Sequence, residues 1–204
     1  MNIVQSIQKL KQLDPTLIYL FDSLIINDLL PEENYFKSLV QSIIYQQLSC
    51  KSARSIHNKF LSIYNQELYP SPEQVLLTNF DLLCSVGLSN QKANYVQNVA
   101  RAFHEEQYKY DNLYLEDDKE IVNILTNIKG IGVWTAQMFL IFTLNRPDVM
   151  PATDLAIQKG YQFYFKLNYL PKDCEIIERS KIWAPYRSTV SLYLWKILET
   201  PFEQ

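Results

Sequence analysis

Apolar residues recur at helical spacing along almost the whole chain. The clearest stretch is 33–48, where Phe36, Leu39, Val40, Ile43 and Ile44 follow the i, i+3, i+4, i+7 pattern and Gln47 continues the stripe at its far tip. The same periodicity predicts helices near 2–12, 16–26, 51–64, 72–78, 90–105, 117–127, 133–144, 154–165, 174–182 and 186–199. Their breaks carry Pro15, Pro31, Pro70, Pro72, Gly87, Gly130, Gly132, Pro147, Pro151, Pro171, Pro185 and Pro201. No alternating strand pair with a hairpin turn is present, so the pattern predicts an all-α fold. The most polar connection, EEQYKYDNLYLEDDKE at 105–120, reads as a divide between two helical lobes, and its acidic end suits a helix start.

The chain holds four glycines among 204 residues, and two of them, Gly130 and Gly132, fall within three positions. They sit in IKGIG at 128–132, between the helix predicted to end near Asn127 and the one starting near Val133. So short a link is a tight helical hairpin. Glycine allows positive φ and close approach of a partner. The amides of Gly130 to Trp134 would then project at a helix N-terminus, a geometry that suits the anionic oxygen of a phosphodiester. Plain helix caps would use the same glycines.

Composition narrows the class. At 24.0 kDa, with 48% hydrophobic and 20% charged residues, the chain reads as a soluble globular protein of one compact unit or two small lobes sharing a core. No apolar run has membrane-spanning length, and MNIVQSIQKLKQLD shows no secretory pattern. Cys50, Cys84 and Cys174 are scattered and odd in number, which fits reduced thiols and supplies no four-ligand metal set. A net charge of −3 speaks against coating nucleic acid by bulk electrostatics. It leaves room for a local contact made by backbone amides and a few cations.

Five blocks between residues 36 and 198 make the reading specific. They are SIIYQQLSCKSA, GLSNQKANYVQNVA, the hairpin IKGIG followed by WTA, RPDVMPATD with Asp154 twenty residues after Trp134, and WAPYRSTVSLYLW. Together and in this order they resemble the helix-hairpin-helix/Gly-Pro-Asp DNA glycosylase superfamily, and within it the type II DNA-3-methyladenine glycosylases of the alkylation-repair branch. The resemblance implies a two-lobed helical domain spanning 1–204, with the pocket between the lobes. It implies a monofunctional enzyme that excises alkylated purines, of the 3-methyladenine and 7-methylguanine type, in base excision repair.

Residue by residue, the resemblance assigns Asp154 as the catalytic carboxylate, which stabilises an oxocarbenium-like sugar and orients water for C1′. Read alone, Asp154 also suits a helix N-cap. Trp134 stands where strand-cleaving relatives carry lysine, so no Schiff base and no lyase activity are expected; Lys129 and Lys159 do not match that position. Trp134 and Trp195, with Tyr45 and Tyr186, are the expected base pocket, where aromatic faces attract a cationic alkylpurine by about 0.5–2 kcal/mol per contact. As plain residues, the tryptophans also suit core anchors. Gln47 matches the wedge that fills the gap left by an extruded base. Gly130, Ile131, Gly132 and Thr135 are the expected phosphate contacts. The backbone carbonyls of Thr126, Ile128 and Ile131 match a Na⁺ or K⁺ site, the one metal the resemblance implies, and no other cofactor is expected.

Arg187 and Lys92 are candidate cations, Arg187 either meeting DNA or bracing the loop of Asp154. His57 and His104 read as surface residues. The extra N-terminal α/β domain of some relatives is not expected, and the chain lacks the cysteine cluster of the endonuclease III-like branch. The expected partner is double-stranded DNA with damaged bases, the expected state a monomer, and the expected compartment the cytoplasm with its nucleoid in a prokaryote or the nucleus in a eukaryote. A non-catalytic helix-hairpin-helix DNA-binding module, or a glycosylase for neutral lesions such as hypoxanthine or ethenoadenine, fits the same residues.

Overall fold

The structure, a computed structural model, describes residues 1–64 and 68–199, of Cys50 the backbone only; Pro201, expected above as a helix stop, lies outside them. Among the described residues all regular structure is helical. In chain order the α-helices are α1 (Ile3–Leu13), α2 (Ile18–Ser23), α3 (Tyr35–Tyr45), α4 (Cys50–Ser62), α5 (Pro72–Leu77), α6 (Phe80–Ser85) and α7 (Asn90–Glu105). They continue with α8 (Gln107–Asp111), α9 (Asp118–Thr126), α10 (Val133–Met138), α11 (Leu155–Tyr164), α12 (Asp173–Ser180) and α13 (Arg187–Glu199).

Polar residues start these helices by accepting the amides that a first turn leaves without partners. Asn34 Oδ1 accepts from Lys37 N at 2.8 Å, Ser89 Oγ from Lys92 N at 3.2 Å, and Asp117 Oδ1 from Glu120 N at 2.8 Å. Ser71 and Gln74 form a reciprocal capping box at α5. Several expected boundaries move. The segment 16–26 is a short 3₁₀ turn at Pro15–Leu17 followed by α2, and α6 and α8 were too short to show a period. The expected helix 133–144 widens into a π segment at Phe139–Thr143.

The chain divides into two compact units, Met1–Pro31 together with the chain from Leu140 onward, and Glu32–Phe139. The polar stretch 105–120 is therefore not a divide between lobes: it lies inside the second unit, and its acidic end caps α9 as expected.

In the first unit α11 and α13 meet backbone to backbone at Gly160, where an added Cβ would lie 2.1 Å from the Leu194 carbonyl oxygen. Leu10, Leu20, Ile157, Trp183, Val190 and Leu194 fill this core. At its polar centre the buried Asp14 carboxylate accepts from Trp183 Nε1 at 2.8 Å, Arg179 Nη2 at 2.7 Å and Thr16 Oγ1 at 2.5 Å. In the second unit α7 packs against α3 and α5; Val96, Val99, Ala100, Leu39, Val40 and Val75 are buried, and the Phe36 and Phe103 rings meet at 5.6 Å.

Candidate active site and nucleic-acid interface

In the first unit Asp154 is the N-cap of α11, as its residue type allowed. Its Oδ1 accepts from Ala156 N at 2.7 Å and Ile157 N at 3.0 Å, and Trp195 Nε1 donates to the same oxygen at 3.4 Å. The Trp195 indole, on α13, stacks on the Phe142 ring with centroids 5.7 Å apart and planes 28° from parallel. Phe142 is 43% exposed, so this aromatic pair reaches solvent. Asp154 is thus a cap and the neighbour of an aromatic platform at once. Phe142 escaped the sequence reading because it sits inside the apolar run MFLIFTL, where an aromatic looks like core.

The loop leading to Asp154 is pinned by more than its prolines. Arg187 grips Asp148 in a two-pronged ion pair, Nε to Oδ1 at 2.6 Å and Nη2 to Oδ2 at 2.8 Å. Arg187 therefore braces this loop. Ser188 Oγ accepts from Val149 N at 2.9 Å and donates to the Arg146 carbonyl at 2.6 Å, while Ser191 Oγ donates to the Val149 carbonyl at 3.1 Å. Both serines, and Thr189 between them, are fully buried. The cluster of hydroxyl residues in STVSLYL, on a helix buried along this stretch, is the signal the sequence carries for these bonds. Tyr186 is half-buried just ahead of α13, its carbonyl accepting from Thr189 N at 3.1 Å.

In the second unit the two glycines do different things. Gly130 takes φ +116°, and an added Cβ would lie 2.3 Å from Tyr95 Cγ. Gly132 is extended, with φ −95°, and an added Cβ would meet nothing within 4 Å. Positive φ was expected at both; only Gly130 needs it, because Gly132 merely precedes the first turn of α10. The amide of Ile131 donates to the Ile128 carbonyl at 3.0 Å, so it is committed to the turn. Thr135 is buried, and its hydroxyl accepts from Gln46 Nε2 at 3.3 Å, so any phosphate contact there is through its backbone. Trp134 is 42% exposed beside them on α10.

Gln47 does not lie on the apolar stripe of α3. The helix stops at Tyr45, Gln46 turns away at ψ 131°, and Gln47 adopts a left-handed backbone at φ +55° with an exposed side chain. Helical spacing could not show this exit. Lys92 is likewise not an outward cation: its ammonium donates to the carbonyls of Ile44 and Gln46, each at 2.7 Å, and burial pushes its pKa down. Tyr45 is half-buried, edge-on to the His57 ring at 6.2 Å. His57 is a correction too, since it is buried among Phe60, Tyr69 and Tyr45 rather than on the surface. Its pKa is lowered by burial first and then by the charge of Lys37. His104 is exposed, as expected. A groove of about 580 Å³ in this unit, lined by Tyr35, Tyr69, Glu73 and His104 among others, includes none of the expected site residues.

Comparison with known proteins bears on this geometry. Schizosaccharomyces pombe DNA-3-methyladenine glycosylase 1 is 37% identical over 168 residues, which is 79% of this chain and 71% of the relative. The solved structure of the S. pombe 3-methyladenine DNA glycosylase in complex with abasic DNA superposes with a TM-score of 0.83 at 31% identity, covering 98% of this chain and all of that one. A DNA-3-methyladenine glycosidase from Bacillus halodurans gives a TM-score of 0.84 at 32% identity, over 98% and 90% of the two chains. The family model for the HhH-GPD superfamily base excision DNA repair protein matches residues 40–185, a span that contains the hairpin, its glycines and Asp154. With that match and these relatives, the chain belongs to the HhH-GPD superfamily of base excision DNA repair proteins.

Proposed function

We infer that this protein is a monofunctional DNA glycosylase that removes alkylated purines from double-stranded DNA. The observation that carries the reading is the carboxylate of Asp154 fixed on one oxygen by two helix-terminal amides and an indole, beside an exposed aromatic platform. Relatives named as 3-methyladenine glycosylases, similar along most of the chain, support it.

An alkylated purine such as 7-methylguanine is already cationic. When its bond to C1′ breaks, the electron pair leaves with the base and neutralises it, and the positive charge passes to the sugar. Asp154 stabilises that oxocarbenium-like sugar; water then adds at C1′ and loses a proton, leaving an abasic site. A cationic leaving group needs no strong general acid. In this proposal Trp134, Trp195, Tyr45 and Tyr186 contact the extruded base, and Phe142 joins them by its stacking on Trp195. Tryptophan at position 134 has no amine to attack C1′, so the phosphodiester backbone stays intact.

Gln47 is the proposed wedge, and its exposed left-handed turn suits a side chain that must enter a duplex. Gly130, Gly132 and Thr135 are proposed to present backbone amides to a phosphate, whereas the Ile131 amide is engaged within the turn. The carbonyls of Thr126, Ile128 and Ile131 fit a Na⁺ or K⁺. Thr126 ends α9, where carbonyls lack intrahelical donors, and Ile128 retains a second lone pair beside the bond from Ile131. Such an ion would add charge opposite the phosphate. The proposed compartment is wherever the cell holds its DNA; among the described residues no helix is long and apolar enough to cross a membrane.

Incubation with randomly methylated DNA, with every released base identified, tests the reading. Asp154→Asn isolates the charge, because asparagine accepts the same capping bonds. Release of alkylated purines by the unaltered protein and its loss in Asp154→Asn is the expected result. DNA binding without release by either would leave a non-catalytic binding module, and release of hypoxanthine or ethenoadenine instead would move the substrate to neutral lesions.

A further inference from the structure

Taking the proposed function as given, we propose that one stripe of α7, formed by Lys92, Tyr95 and Asn98, sets the register between the Gln47 turn and the Gly130–Gly132 hairpin, with Lys92 as a positioning residue for base extrusion. The three residues are spaced by three and so follow one side of the helix. Each reaches a different piece of the proposed DNA-facing surface within the second unit.

Lys92 holds the turn. Its ammonium bonds the Ile44 and Gln46 carbonyls, both at 2.7 Å, at the end of α3 where carbonyls lack intrahelical donors. A cation there also complements the negative end of the helix dipole. Gln46, held at its carbonyl by Lys92, reaches across with its side-chain amide to Thr135 Oγ1 at 3.3 Å on α10. Gln47 follows directly, and glutamine keeps a left-handed backbone only where its surroundings over-determine it.

Tyr95 and Asn98 hold the hairpin. The Tyr95 ring lies so close to the Gly130 backbone that no Cβ fits between them, and Asn98 Nδ2 donates to the Lys129 carbonyl at 3.0 Å. The wedge turn and the hairpin are therefore tied to one rigid helix and, through Gln46 and Thr135, to each other. A phosphate seated on the hairpin amides then fixes where Gln47 enters the duplex. Charge on Lys92 serves this alignment and is not spent on DNA.

The test compares single-turnover base release from two duplexes, one with 7-methylguanine paired to cytosine and one with it facing an abasic site, where no pairing opposes extrusion and no partner base is orphaned. Lys92→Met keeps the aliphatic stem and removes both bonds. Release from the paired duplex is expected to fall about tenfold or more and from the duplex with the abasic site less than about threefold, since only the first needs an aligned wedge. Lys92→Arg, whose guanidinium can still donate to both carbonyls, should recover a substantial part of the paired-duplex rate. Asn98→Ala should raise KM on both duplexes with their rate ratio unchanged. Equal loss on both duplexes in Lys92→Met, or no loss on either, overturns the inference.

Thermal melting of each variant separates misalignment from misfolding. If the unaltered protein releases no base from either duplex, the proposed glycosylase activity is what fails. Register is then read from 2-aminopurine fluorescence on binding, which reports extrusion without chemistry. Lys92→Met must lower that signal in a paired duplex and spare it opposite an abasic site, and an unchanged signal again overturns the inference.

Discussion

Arg187 and Asp148 form a two-pronged ion pair, with hydrogen bonds of 2.6 and 2.8 Å, that ties the first residue of α13 to the loop running up to Asp154. Both side chains are under a third exposed, so water competes only partly for the pair. Arg187→Ala should cost about 1–3 kcal/mol of stability, as expected when a charged hydrogen-bond partner is removed. Arg187→Lys keeps the charge without the fork. It should lower kcat for base release several-fold while leaving DNA affinity within about threefold. Fluorescence anisotropy and single-turnover kinetics on the same preparations check this; a large affinity loss with unchanged kcat would mean that Arg187 meets DNA.

The hairpin glycines should separate under substitution. Gly130→Ala forces a side chain into a left-handed backbone and onto the Tyr95 ring, and should cost more than about 1 kcal/mol of stability. Gly132→Ala meets open space in an extended backbone and should change stability by less than about 0.5 kcal/mol. Its DNA affinity should nevertheless fall, because the added methyl occupies the space proposed for the phosphate. Unchanged affinity in Gly132→Ala would reduce Gly132 to a cap.

Trp195→Phe retains a stacking ring and deletes the indole N–H that reaches Asp154 Oδ1. The two capping amides still hold the carboxylate, so the fold should survive. Base release should drop roughly three- to tenfold, the scale of one modest hydrogen bond of about 0.5–1.5 kcal/mol. Single-turnover rates on 7-methylguanine duplexes measure this. A rate equal to that of the unaltered protein would confine Trp195 to packing.

Acid should destabilise the protein in two stages. The pKa of His57 is lowered below its usual 6.5 by burial and by Lys37, so below that pH the unfolded chain takes up a proton that the folded chain resists. Stability is full above pH 6.5 and falls as pH drops toward the folded-state pKa. At Asp14 burial acts to raise the pKa, but the bonds from Thr16, Trp183 and Arg179 and the charge of Arg179 outweigh it, and the net shift is below the usual 3.8. Its contribution is complete above that value and disappears as pH falls through the folded-state pKa. Thermal midpoints recorded against pH should show the upper stage flattened in His57→Phe and the lower one flattened in Asp14→Asn. A single unaltered curve for both variants would contradict this assignment.

Helices long enough to repeat a period are legible along the chain, because burial of one face forces apolar residues to return at helical spacing. Its hairpin and Asp154 likewise stood in blocks whose order and distances are written along the chain. Whatever depends on partners distant in the chain becomes visible only in the folded molecule. Lys92 and His57 look like surface residues until α3 and the aromatics around them are in place, and Arg187 could have faced either DNA or its own loop. Gln47 leaves the stripe of α3 at a helix end whose carbonyls bond a lysine forty-five positions away. Periodicity reports which face of a helix is buried; only the folded chain says which hydrogen-bonding groups remain to be satisfied at its ends, and by whom.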